Sequence, residues 1–216
     1  MLADDVLGFV MSKVSFDLST SISDLNESDS LLAYFLYGIT SIPYFSVEKD
    51  FSITQSIEEI HEPKSRCMIQ IETLESDQFL FLFDPTDMGD KKQWMVHLAI
   101  KQRSEKSKKI MLYPGHIVLV QEGSKLNIKI FLLQDLEGIL DSSEEKEVLQ
   151  SKELQEAVTG LIHKAFLLAS LVGTSLVKEY EIVPSDRIQR KRKKHRRMPV
   201  LPYTVLRISK EYQGCV

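Results

Sequence analysis

Between residues 42 and 133 the chain repeats one pattern: short segments of β-branched or aromatic residues, separated by charged or turn-forming clusters. Segments of this kind are too short for helices, and they bury their apolar side chains by lying next to one another as strands. Residues 67–71 (CMIQI) and 79–83 (FLFLF) read as a hairpin around an acidic loop at 72–78. Residues 94–100 alternate, with Met95, His97 and Ala99 facing one way and Trp94, Val96, Leu98 and Ile100 the other. Residues 110–113 and 116–121 flank Pro114-Gly115, and 126–133 follow Glu122-Gly123-Ser124. Residues 44–53 alternate in part, and the run from Asp84 through Pro85 to Gly89 and Asp90 is a turn signal. Six or so strands joined by short links predict an antiparallel sheet over residues 42–133.

Helical patterns flank this region. Leu2, Val6, Phe9, Val10 and Val14 recur at helical spacing, and after a polar stretch at 15–30 the run LLAYFLY at 31–37 predicts a second helix, ended by Gly38 and Pro43. Residues 1–40 thus form a helical N-terminal part. Ser142, with Glu145 three residues on, fits a capping box and starts a long helix over 142–173. Val158, Ile162, Ala165, Phe166 and Ala169 give that helix an apolar face to lay across the sheet. A basic linker at 184–200 then leads to a final alternating strand at 203–208. With 216 residues, 43% hydrophobic and 27% charged, the expected fold is a single α+β domain over 1–216. It comprises an antiparallel sheet of about six strands, two N-terminal helices, one long packing helix and a C-terminal strand.

The two cysteines, Cys67 and Cys215, are too few for a disulfide framework and have no metal-type spacing, so a reducing compartment is the simplest reading. The opening MLADDVLGFVMSK has acids where a signal peptide carries positive charge. The most apolar stretch, at 161–172, contains His163 and Lys164 and is shorter than the roughly 20 residues a membrane span needs. The expectation is a cytoplasmic protein without a membrane partner. The sequon at Asn26-Glu27-Ser28 is then accidental.

Searching the chain for chemistry returns little. His61, His97, His116, His163 and His195 never stand three or four residues apart, and no Cys/His cluster accompanies them. His97 and His116 fall in predicted strands and could converge, although strand histidines with satisfied hydrogen bonds are the simpler reading. There is no nucleophile-elbow motif and no glycine-rich phosphate loop. Asp84, Asp87 and Asp90 have the spacing of a solvated turn rather than of a calcium loop. No catalytic, metal or cofactor residue is assigned. The expectation is a non-enzymatic protein that binds a host macromolecule, with a nucleic-acid-binding protein using residues 187–197 as the alternative and an enzyme of unknown chemistry third.

One segment stands above this background. Between Asp186 and Arg197 eight Lys or Arg stand against a single Asp, so a chain of net charge −4 carries +7 here and −11 elsewhere. Arg187, Arg190, Lys191, Arg192, Lys193, Lys194, Arg196 and Arg197 are the candidate macromolecule contacts, with Tyr203 as the nearest aromatic. Several cations in a short span can neutralise several phosphates and release their counterions, which supports backbone-directed binding to RNA or DNA. An acidic protein surface, a targeting signal and plain solvation are the other readings.

The C-terminal quarter carries a resemblance. A Leu- and Ala-rich helix is followed by Val177-Lys178-Glu179, Pro184, Arg190-Lys191-Arg192-Lys193, and then PVLPYTVLRI at 199–208. This order resembles a broad family of phage and plasmid proteins that includes the second type V-A anti-CRISPR protein. It covers about 50 residues. Family members often have Leu-Leu-Asn at the helix end and Lys-Gly-Lys-Pro before the tyrosine, where this chain has Leu171-Val172-Gly173 and Arg196-Arg197-Met198-Pro199. The resemblance implies a non-enzymatic phage accessory or anti-defence protein that binds a host protein. A nascent peptide at the ribosome is one such target, with the basic segment working near RNA and Tyr203 beside a peptide groove.

Overall fold

The computed structural model describes residues 2–15, 17, 19–47, 63, 66–73, 77–88, 91–103, 108–122, 125–133, 151–174, 177–195 and 202–208. The chain is α+β, as expected. Helix α1 (Leu2–Lys13) and helix α2 (Glu27–Ser41) precede strand β1 (Tyr44–Val47). Strands β2 (Cys67–Glu72), β3 (Gln78–Met88), β4 (Lys91–Arg103), β5 (Lys108–Leu112), β6 (Gly115–Glu122) and β7 (Lys125–Leu132) follow. Helix α3 (Lys152–Leu171), strand β8 (Val177–Ile182), helix α4 (Asp186–Lys194) and strand β9 (Tyr203–Ile208) complete it.

The described strands form one nine-stranded sheet in the order β7-β6-β4-β3-β2-β1-β9-β8, with β5 also paired to β4. The predicted hairpin is present, with Cys67 opposite Phe83 and Glu72 opposite Gln78. The sheet is mixed rather than antiparallel, because β1 runs parallel to both β2 and β9. Parallel neighbours need a crossover of a dozen or more residues, and the link from β1 to β2, residues 48–66, is long enough to supply one. The expectation of an antiparallel sheet over residues 42–133 is corrected at β1.

Both faces of the sheet are covered at its middle strands. Phe81, Phe83, Trp94, Val96 and Leu98 pack with Val158, Ile162 and Phe166 of α3 on one face. Leu80, Leu82, Ala99 and Leu112 pack with Leu2, Val6 and Phe35 of α1 and α2 on the other. This explains why β3 is buried at every position from Phe79 to Phe83 rather than at alternate ones. Gln70 is the buried polar residue that ties α1 to the sheet. Its Oε1 accepts from the Leu2 N–H at 3.4 Å and from the Tyr44 hydroxyl.

Four further expectations need correction. Gly38 does not end α2, which continues to Ser41. A Cβ on Gly38 would lie 1.8 Å from Leu82 Cδ1, so glycine is there to let helix and sheet approach. Asn26 is the N-cap of α2 and accepts from the Asp29 N–H at 2.7 Å. Asp84 and Pro85 do not turn the chain, because β3 runs on to Met88. From Asp84 onward β3 has only β4 as a neighbour among the described strands, and a strand with an open side tolerates a proline. The long helix starts at Lys152, capped by Ser151, whose hydroxyl accepts from the Leu154 N–H at 3.3 Å. The capping box at Ser142 and Glu145 lies outside the described residues. Finally, residues 186–194 of the basic linker form a helix.

Candidate functional site

Helix α4 reads DRIQRKRKK and has no buried residue. Six of its nine side chains are Lys or Arg against the single Asp186. A helix usually owes its stability to an apolar face packed on the core, and α4 has none. Arg187, Arg190, Lys191 and Lys194 stand at i, i+3, i+4 and i+7, so they line one face within reach of one another. Lys193 flanks that face, half-buried Gln189 and Arg192 lie on the far side of the helix, and Ile188 is 48% exposed. Like charges at these spacings repel by a few tenths of a kcal/mol per pair, and a bound polyanion reverses that sign. Arg196 and Arg197 lie outside the described residues.

Tyr203 opens β9. The strand is not at an edge, because it sits between β1 and β8. The Tyr203 ring is half-buried, 6.0 Å from the ring of Tyr44, so most of it belongs to the core beneath α1 and α2. The outermost strand at this end of the described sheet is β8, which the sequence reading left out. Only Val177 of β8 is buried.

The antiparallel register sorts the side chains of β8 and β9. Lys178 is opposite Arg207, Tyr180 opposite Val205, and Ile182 opposite Tyr203. These six share the face on which α1 and α2 lie farther along the sheet. Glu179 is opposite Leu206 and Glu181 opposite Thr204, on the α3 face, where the Glu179 carboxylate accepts from the Gly173 N–H at 2.7 Å. On the first face Tyr180 is 43% exposed, with the Arg207 guanidinium 5.0 Å from its ring centroid. Ile182 is 39% and Val183 68% exposed. The sequence signal for this surface was the alternation VKEYEI itself, visible only once β8 is recognised as a strand.

The two strand histidines do converge. Their ring centroids are 5.7 Å apart in an edge-to-face arrangement, and His97 also stacks on Tyr34 at 4.7 Å. Neither ring nitrogen of His97 has a hydrogen-bond partner among the described residues, which corrects the expectation of satisfied hydrogen bonds. Burial, with His116 adding to it, pushes His97 down to about 3. Burial lowers His116 as well, against the opposing charge of Glu27. A neutral, fully enclosed His97 is a core group with no access to substrate. Burial likewise pushes the Cys67 thiol up to about 12, away from nucleophilic use. Among the described residues no three His, Cys, Asp or Glu are grouped so as to hold a metal ion. No described helix is long and apolar enough to cross a membrane. Set against protein-family models, curated proteins and solved structures, the chain finds no match.

Proposed function

We propose that the protein is a non-enzymatic binding protein that holds the phosphate backbone of a nucleic acid on α4. The single observation behind this reading is a nine-residue helix that has no buried residue and aligns exposed Arg187, Arg190, Lys191 and Lys194 on one face. Each phosphate neutralised releases counterions, so affinity arises without sequence readout. The rest of the chain is acidic and repels such a ligand, which confines contact to this end. The resemblance to phage and plasmid proteins gives the setting: an accessory or anti-defence role in the host cytoplasm, with RNA near the ribosome as the source of phosphates.

The test is binding of a labelled oligonucleotide across a salt series, for the wild-type chain and a variant with Arg187, Arg190, Lys191 and Lys194 changed to Gln. With about four phosphates engaged, the logarithm of affinity should fall with the logarithm of salt with a slope of about −3, and the variant should lose most of that slope. Binding that ignores both salt and variant removes the reading. One further observation favours a second reading. Among the described strands β8 pairs with β9 alone, which leaves main-chain groups for an extended host or nascent peptide to pair with. Capture of a protein partner that survives nuclease and the α4 substitutions would favour it.

A further inference from the structure

We propose that the open face of β8 and β9 is a stacking platform for the unpaired bases of an RNA strand whose phosphates α4 holds. The inference rests on the reading of α4 above. Helices α1 and α2 lie over β3, β4 and β5, and at the β8 end of the same face Tyr180 and Ile182 stay exposed, with no described helix over them. A strand face exposed to water is ordinarily polar, yet this one presents Tyr180 and Ile182 beside half-buried Val205 and Tyr203. The alternation in β8 puts Glu179 and Glu181 on the opposite face and leaves Lys178 and Arg207 beside Tyr180. The patch therefore combines aromatic surface with positive charge and has no carboxylate of β8 or β9 on its side. A nucleobase with its phosphate matches that chemistry, through ring stacking on Tyr180.

Position supports the same occupant. Only Val183, Pro184 and Ser185 separate Ile182 from the first residue of α4, a reach of roughly 13 Å at full extension. A strand with its phosphates on α4 has its next bases within range of the platform. A duplex keeps its bases stacked inside and offers a flush tyrosine nothing to stack on. RNA is the nucleic acid that commonly displays unstacked bases, in loops and single strands.

The test measures binding by the full chain of ~12-nucleotide ligands, a length within the range single-strand sites occupy. The ligands are a uridine oligomer, an abasic oligomer with the same phosphates, a duplex, and the DNA strand of the same sequence. Tyr180→Leu should weaken uridine-oligomer binding by about five- to hundredfold and leave abasic binding unchanged, as loss of one stacked base predicts. Tyr180→Trp should restore affinity and show fluorescence quenching on binding, against the constant signal of buried Trp94. If Tyr180→Leu binds as wild type while the α4 variant still loses affinity, the platform is wrong and the reading of α4 stands. If the α4 variant binds the abasic oligomer as wild type does, the underlying reading fails. Tighter binding of duplex or of DNA than of the RNA strand overturns the assigned occupant.

Discussion

At the scale of single residues, two positions make their physics measurable. Gly38 allows α2 to approach the sheet at Leu82, so Gly38→Ala must displace the leucine or lift the helix. Overpacking of this kind costs about 1–3 kcal/mol, and urea unfolding should show the midpoint falling with an unchanged slope. His97 gives a pH dependence with a definite sign. Its folded value of about 3 lies below the ordinary 6.5, so as pH falls the unfolded chain takes up the proton first. Stability is complete above pH 6.5 and declines as pH drops from there toward 3, by at most ~1.4 kcal/mol per pH unit from this group. His116 is shifted in the same direction and adds to the decline. Urea midpoints at pH 7.5 and 5 should therefore differ clearly for the wild type and less for His97→Leu; equal differences would remove His97 as the cause.

At the scale of elements, legibility followed the range of the forces involved. The hairpin of β2 and β3 was readable because its aromatic and β-branched runs are local and its turn is short. The parallel pairing of β1 with β9 joins Phe45 to Thr204, and no local pattern encodes a partner so distant in sequence. Strand β8 was unreadable as a core strand because only Val177 is buried. In the site, the basic run was plain from composition, whereas Tyr180 and Arg207 meet only through the register of β8 on β9. Helix α4 was read as a linker because its like charges and missing apolar face argue against a helix. The same features predict its behaviour. With no buried residue of its own, α4 should exchange its amide hydrogens far faster than Val158 or Ile162 in α3, and a bound RNA strand should slow them. Slow exchange in the free protein would mean that something other than a ligand holds the helix.

At the scale of the whole molecule, stability and binding are separated in space. Two apolar clusters grip opposite faces of β2, β3 and β4, so the folding energy is concentrated in the middle of the sheet. Phe166 sits at the centre of one cluster, with its ring 5.0 Å from Trp94 and 6.2 Å from Phe83. Phe166→Ala should cost about 3–5 kcal/mol. The charge is distributed the other way. The six cations of α4 lie on a helix with no buried residue, which follows β8 at the far end of the described sheet from β7. Neutralising Arg187, Arg190, Lys191 and Lys194 should change stability by less than about 0.5 kcal/mol, because exposed side chains without buried partners contribute little to folding. Urea unfolding followed by far-UV circular dichroism and by Trp94 fluorescence, run on both variants, checks the contrast. A large stability loss in the α4 variant would make that helix part of the fold. Its loss of RNA binding would then report unfolding rather than a severed contact, and the separation of core from contact surface would no longer hold.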